Sequence, residues 1–404
     1  MVSSPDAGRP RPGDDRTMVN GNPQASIGSW RVELQRLIDL GRDRDAAQLA
    51  ASHLPTTQAE EDPMATPTVA HQSGKIQALL AGTASVWALE LGLRLGVIDH
   101  LATCRRGATA GDVASVLGLD PQYTHVLLRA MYAAEVVHRD GHRYQLAPHM
   151  GMLLLDQDSP TYLGGAVRVL VALRETFLDL RDFARSGTRE WWSDFDPEWI
   201  EAVAAHCQAY YRRLLDTALP ELPDLRAMLD QGVRYLDLAC GTCLGPAKLV
   251  AAYPKTSVTA VDADPYSLAS AQREMTQRGI ADRFTFVESF LEDLDCDGGH
   301  DVAVINVSLH EARDIAAVVE RVHAALEPGG VFLVSEFPFP ENEEGCRSVP
   351  GQLMCGVQFF EAHIGCQLLP AARFVEHLDA AGFADIGIID INPLHVVIHG
   401  RKAS

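Results

Sequence analysis

From Val233 to its end the chain alternates strand-length apolar runs with helix-length amphipathic segments, and few folds accommodate that order. The runs "RYLDLA", "SVTAVD", "RFTFVE", "DVAVINV" and "VFLVSEF" are interleaved with "LGPAKLVAAY", "PYSLASAQREMTQRG" and "ARDIAAVVERVHAAL". After the helix "AARFVEHLDAAG" come "DIGIID" and "HVVIHGRK", close enough to pair as an antiparallel hairpin. Residues 231–404 therefore read as an α/β domain with five parallel strands and a terminal hairpin.

The first turn of this domain is the informative one. "YLDLACGTCLGPAKL", Tyr235 to Leu249, reads as a buried strand, a tight turn at Gly241 and a helix from about Leu244. Such turns hold nucleotides in α/β proteins, yet Ala239 and Cys243 stand where glycine is common. A pyrophosphate needs backbone N–H groups and a helix N-terminus without a carboxylate beside them. Here Asp237 lies just ahead of the turn, and neither G-x-G-x-x-G nor Gly-Lys-Ser/Thr follows. A ligand with positive charge and no phosphate suits the loop, and S-adenosylmethionine is such a ligand. Asp262 ends the next strand, where a carboxylate can accept both hydroxyls of a ribose. Asp264 beside it reads as a solvated turn residue. Cys240 and Cys243 make a lone C-x-x-C with no second pair to complete a zinc site, so reduced thiols and no metal are expected.

Ahead of this domain, residues 1–28 carry Pro, Gly, Ser and charge without an apolar run and read as a disordered tail. Residues 29–71 read as a short helical segment and a proline-broken linker. A long helix is expected from Lys75 through Leu95, ended by Gly96. Thr109 and Asp120, the latter followed by Pro121, are helix caps, and Asp140-Gly141 is a hairpin turn. Helix, helix and hairpin make residues 72–158 winged-helix-like. Residues 105–150 hold five Lys/Arg against four Asp/Glu, which is no basic face for phosphates. Dimerisation suits this module better than DNA. Residues 159–230 read as a helical connector or lid, with Tyr210 or Tyr211 placed to point into a cleft.

The 34 Lys+Arg against 54 Asp+Glu give a net charge of −20, which argues against a nucleic-acid or anionic-membrane partner. No apolar run of about 20 residues stands out, so no membrane span is expected. A cytoplasmic location follows as the expectation.

With "DLACGT", "AVDADP" and "LEPGGVFLVSE", residues 233–402 resemble the class I S-adenosylmethionine-dependent methyltransferases. The whole architecture resembles the small-molecule O-methyltransferases with a winged-helix dimerisation module. The resemblance implies a Rossmann-like domain, a homodimer, a small-molecule substrate and S-adenosylmethionine as cofactor. It places Asp237, Ala239, Cys240 and Gly241 along the methionine portion, Asp262 at the ribose and Ala263 beside the adenine. Phe290 and Asn306 complete the implied set. Relatives usually carry an acidic residue for the adenine amino group at Ser289. Here that contact passes to Ser289 itself, a backbone carbonyl or water.

"NVSLHEARD", Asn306 to Asp314, resembles the segment in which these enzymes carry a catalytic histidine. His310 is thereby a candidate general base, Glu311 its orienting partner, and Tyr211 a further candidate catalytic residue from the lid. The corresponding "HIGCQLLPAARF" has no carboxylate and offers little beyond Gln367. Glu336 and Glu361 lie near the right loops, and transfer by proximity alone is the alternative. An aromatic lid (Trp191, Trp192, Trp199, Tyr210, Tyr211) also suits a cyclisation of S-adenosylmethionine to azetidine-2-carboxylate with release of methylthioadenosine. A winged-helix regulator and a non-catalytic scaffold are the remaining alternatives.

Overall fold

The computed structural model describes residues 66–295 and 298–404. The expected tail and nearly all of the helical segment and linker lie outside the described residues. The chain divides after Ile76 into two compact units, and residues 66–76 are the described part of the first. They open the helix Val69–Arg94, which starts earlier than expected. This helix is long and apolar enough to cross a membrane, with a window of mean hydropathy 1.4 that is 22% buried. The expectation of no such segment is corrected: small residues and scarce charge make the window apolar without a dense run of large side chains.

The second unit continues with Val97–Thr103, then strand β1 (Ala108–Thr109), Ala110–Leu117 and Pro121–Ala133. The caps act as expected. Thr109 accepts from the Asp112 N–H in a reciprocal capping box, and Asp120 accepts from Gln122 and Tyr123 N–H ahead of Pro121. Strands β2 (Val137–Asp140) and β3 (Arg143–Leu146) pair around Gly141, whose φ of 55° suits glycine. With β1 they form a sheet of order β1-β3-β2.

Long helices Gly164–Ser186 and Pro197–Arg213 follow. They approach so closely that a Cβ on Gly165 would lie 2.6 Å from His206 Cα. The sheet then opens with β4 (Arg234–Leu238), β5 (Ser257–Asp262), β6 (Phe284–Glu288), β7 (His300–Asn306), β8 (Leu326–Glu336), β9 (Phe383–Asn392) and β10 (His395–Lys402). Its order is β6-β5-β4-β7-β8-β10-β9. The first five strands pair in parallel, and β10 is antiparallel to both β8 and β9. Central strands β4, β7 and β8 are apolar and buried on both faces, as a sheet covered by helices requires. Edge strand β9 is largely exposed or half-buried. Two cores lie on either side of the sheet, one around Tyr235, Met275 and Leu333, the other around Phe332, Phe374 and Leu236. The order reverses between β4 and β7, and ligands of such sheets bind outside the carboxyl ends at that point.

One element absent from the sequence reading bears on the site. Val349–Ile364 is a helix capped by Ser348, with Pro350 in its first turn and Gly365 ending it at φ 91°. It carries Glu361 into the interior.

Candidate active site

A cleft of about 1200 Å³, counting its open mouth, lies over the carboxyl ends of β4, β5, β6 and β7. From β4 and its loop come Asp237, Ala239, Cys240, Gly241 and Thr242; from β5, Asp262, Ala263 and Asp264. Ser289, Phe290 and Glu292 follow β6, and Asn306, Glu311 and Arg313 follow β7. Trp191, Trp192, Cys207 and Tyr211 line it from the 159–230 segment. Of the expected site residues, only His310 is absent from this wall.

The loop after β4 keeps a glycine-type backbone without the glycines. Ala239 and Cys243 have φ of 51° and 57°, beside Gly241 at 53°. Left-handed backbone at a non-glycine residue costs roughly 1–2 kcal/mol, and such strain collects at ligand sites. Val307 at the end of β7 carries the same strain, at φ 58°. The Cys243 N–H closes the turn on the Cys240 carbonyl at 3.0 Å. Contact with Cys243, together with burial, holds the Cys240 thiol well above its ordinary pKa.

Asp262 ties the loop to β5. Its Oδ2 accepts from the Gly241 N–H at 2.7 Å and its Oδ1 from the Asp264 N–H at 2.8 Å. A carboxylate has acceptor capacity beyond these two bonds, and Asp262 lines the cleft. Burial raises its pKa to about 6 against those bonds. Asp264 serves the helix instead. Its Oδ2 accepts from the Ser267 N–H at 2.8 Å and caps Pro265–Gln277.

Tyr211 sits on the cofactor loop rather than beside His310. Its hydroxyl donates to Asp237 Oδ2 at 2.5 Å and lies 2.6 Å from the Tyr235 hydroxyl. Burial pushes Asp237 up to about 7, while the Tyr211 bond pulls it down. The ring fits only because residue 245 is glycine: a Cβ there would lie 2.2 Å from Tyr211 Cδ2. Tyr210 points elsewhere, with its ring 4.8 Å from that of His395 and beneath the Arg213 guanidinium. Trp199 packs against Phe360 away from the cleft.

His310 is buried behind the wall. Glu336 Oε1 accepts from the Leu309 and His310 N–H groups, and its Oε2 lies 2.8 Å from His310 Nδ1. On its other side His310 Nε2 lies 3.3 Å from Glu361 Oε2 and 3.9 Å from Glu311 Oε1. Burial opposes a charge on His310, but Glu336 and Glu361 outweigh it and hold its pKa well above the ordinary value. Burial also lifts Glu311 to about 8, and the Trp192 indole N–H donates to its Oε2 at 2.8 Å. His310 Nε2 faces Glu361 and Glu311, and His310 does not line the cleft. The sequence named Glu336 and Glu361 without their facing. Trp192 as a partner of Glu311 carried no signal, since the two are 119 positions apart.

Residues 236–330 match the family described as "Methyltransferase domain", and residues 77–156 match "O-methyltransferase dimerisation domain". Residues 236–330 are thus a methyltransferase domain, and residues 77–156 are a dimerisation domain of the O-methyltransferase kind. The chain is 30% identical over 125 residues to an uncharacterized methyltransferase of Synechocystis sp., covering 30% of this chain and 55% of that protein. It is 31% identical over 129 residues to the demethylmenaquinone methyltransferase of Thermus thermophilus, covering 32% and 54%. The chain thus spans about half the length of these curated relatives. Among solved structures, a putative O-methyltransferase of Nostoc punctiforme superposes with a TM-score of 0.63 at 16% identity, covering 84% of this chain and 100% of that one. The human N-acetylserotonin methyltransferase, solved with S-adenosylmethionine, gives 0.56 at 20% identity, covering 84% and 99%. These likenesses establish the shared fold and lend no support to the cyclisation, regulator or scaffold alternatives.

Proposed function

We propose that the protein binds S-adenosylmethionine in this cleft and transfers its methyl group to an oxygen of a small molecule. The observation that carries the reading is the convergence of Asp237 and Asp262 from adjacent strand ends, around Gly241, on one wall of the cleft. Two carboxylates and no phosphate cradle fit a cationic nucleoside. The cofactor, when bound, supplies an electrophilic methyl group on its sulfonium. Asp262 accepts the ribose hydroxyls with its free lone pairs, and Asp237, held by Tyr211, faces the ammonium. Ala239, Cys240 and Gly241 flank the methionine portion. Ala263, Ser289 and Phe290 take the adenine side, and Asn306 closes the wall after β7. Trp191 and Trp192 exclude water and offer aromatic faces to positive charge. With His310 turned away from the cleft, positioning of the acceptor carries the transfer.

Mass spectrometry of reactions with S-adenosylmethionine and hydroxylated acceptors tests the reading. A methylated product with S-adenosylhomocysteine is expected; methylthioadenosine in their place overturns it. Asp237 must be a carboxylate to attract the ammonium, so affinity falls as pH drops through about 7. Calorimetry should find binding about tenfold weaker at pH 6 than at pH 8. In Tyr211→Phe the bond that lowers this pKa is gone, and the midpoint moves to higher pH. An unmoved midpoint would remove Asp237 from the ammonium contact.

The dimerisation match and the exposed side chains of Leu79, Leu80, Trp87 and Leu91 support a homodimer. Sedimentation should give twice the chain mass of 43.9 kDa without detergent. A monomer, or a need for lipid, argues against this pairing.

A further inference from the structure

The wall after β7 ends in Asn306, a side chain with an acceptor oxygen and a donor nitrogen on one amide. Which of the two it offers to the cleft is fixed from inside the sheet. Ser335 stands opposite it on β8, and the Ser335 hydroxyl donates to Asn306 Oδ1 at 2.7 Å. On its other side the same hydroxyl lies 2.8 Å from Nε2 of His395, the first residue of β10. Ser335 and His395 are both fully buried.

One direction of hydrogen bonding suits this chain of groups. His395 Nδ1 is buried without a partner. With the proton on Nε2, His395 donates to Ser335, Ser335 donates to Asn306 Oδ1, and Nδ1 is left as a bare lone pair. The reverse order has the amide turned over and donating to Ser335. It puts the proton on Nδ1 and strands an N–H in the interior, which folded proteins rarely tolerate. A doubly protonated ring would strand the same N–H, and burial together with the Arg213 charge lowers the His395 pKa to about 3. The ring is therefore neutral, with its proton on Nε2. The Asn306 oxygen is used, so Nδ2 is the polar atom that the side chain has left for a ligand in the cleft it lines.

The place of Asn306 on the sheet decides which ligand group meets that donor. The strands under the cleft run in the order β6-β5-β4-β7. In the proposed binding mode adenine lies at β6, ribose at β5 and the methionine portion at β4, so β7 comes next along the cofactor. Tyr235, Val302, Val304 and Leu333 share one core, and by the two-residue alternation Asp237, Asn306 and Ser335 project from that same face. Asp237 pairs in register with Val304, two residues before Asn306. Parallel-strand spacings then put the Asp237 and Asn306 Cα atoms about 8 Å apart. The ammonium and the carboxylate of the methionine portion share one carbon atom. A carboxylate on one side and an amide donor on the other match the two halves of that zwitterion.

We propose that Asn306 donates through Nδ2 to the α-carboxylate of S-adenosylmethionine, and that Ser335 and His395 are the positioning residues that fix this donor. The assignment rests on the methyl-transfer reading, in which Asp237 takes the ammonium. A carboxylate only accepts hydrogen bonds, so an Asn306 amide turned over would present an oxygen and repel it.

The test is calorimetric titration of the full chain with S-adenosylmethionine and with decarboxylated S-adenosylmethionine, which keeps the ammonium, sulfonium and adenosine. The unaltered chain is expected to prefer the first ligand by about 10–100-fold, the range of a hydrogen bond to a charged group. Asn306→Ala should remove that preference by weakening S-adenosylmethionine alone. Asn306→Asp is isosteric and can keep the Ser335 bond, and it should invert the preference by setting carboxylate against carboxylate. Ser335→Ala and His395→Phe should each lower the preference about threefold or more, because the amide is freed to turn. A merely structural role would weaken both ligands equally and leave the preference unmoved. Circular dichroism checks folding, and the cleft-lining Asn306 variants carry the test if a buried variant does not fold. Equal losses of the two ligands in Asn306→Ala, or an unchanged preference in Asn306→Asp, would overturn the assignment. Binding of both ligands without preference removes the assignment alone. Binding of neither removes the methyl-transfer reading and the assignment with it.

Discussion

Asp262→Ala is expected to weaken S-adenosylmethionine binding about 10²-fold or more, the largest effect of any single change in the cleft. A hydrogen bond to a charged group contributes about 1.5–3 kcal/mol, and Asp262 is assigned two to the ribose. Some 3 kcal/mol of lost binding corresponds to roughly two decades in Kd. The substitution also releases the Gly241 N–H that fixes the turn. Asp264→Ala is the control, because that carboxylate caps a helix. Its loss costs about 1 kcal/mol of stability and leaves affinity near that of the unaltered protein. Calorimetric titration of both variants separates the roles. Equal losses would mean that neither carboxylate meets the ribose.

Gly245→Ala should be the most destabilising of the conservative changes. Alanine is ordinarily the better helix former by about 1 kcal/mol, so a naive expectation has the opposite sign. Here the new Cβ meets the Tyr211 ring at 2.2, 2.5 and 2.7 Å. The ring has nowhere to go: it is buried, and its hydroxyl is pinned to Asp237 and Tyr235. Overpacking costs about 1–3 kcal/mol, and displacing the hydroxyl from Asp237 adds about 1.5–3. A loss of about 3 kcal/mol or more should lower Tm by about 4 °C or more. Adding Tyr211→Ala removes the clash, so the double variant should match Tyr211→Ala alone. A Gly245→Ala protein melting with the unaltered chain would show that Tyr211 does not occupy this place.

The α/β half was legible because its signals are local. A parallel strand buried on both faces must be continuously apolar, and β7 and β8 read that way in sequence. Asp262 was told apart from Asp264 by its place at the strand end, although the reading of Asp264 as a solvated turn residue is corrected by its burial and its capping of the helix Pro265–Gln277. The loop glycines were harder. Ala239 and Cys243 hide a left-handed backbone that only the dihedral angles reveal. The facing of Glu361 was out of reach, because it acts from the helix Val349–Ile364, whose amphipathic pattern is weak and whose contact with His310 spans 51 positions. Glu336 ends a strand whose terminal side chain could face either way. Its pairing with His310 depends on the kink after β7, where Val307 takes a conformation unfavourable to valine. The helix Val69–Arg94 was legible as a helix, but its hydropathy was underestimated. Local periodicity thus supplied the scaffold, whereas long-range contacts set the chemistry around His310.

Isothermal titration of the purified full chain with S-adenosylmethionine bears most heavily on the role assigned to the cleft. One saturable site per chain is expected, shared with S-adenosylhomocysteine, weakening as pH falls through about 7 and lost in Asp262→Ala. No binding at millimolar cofactor, or binding indifferent to Asp262, would contradict that role.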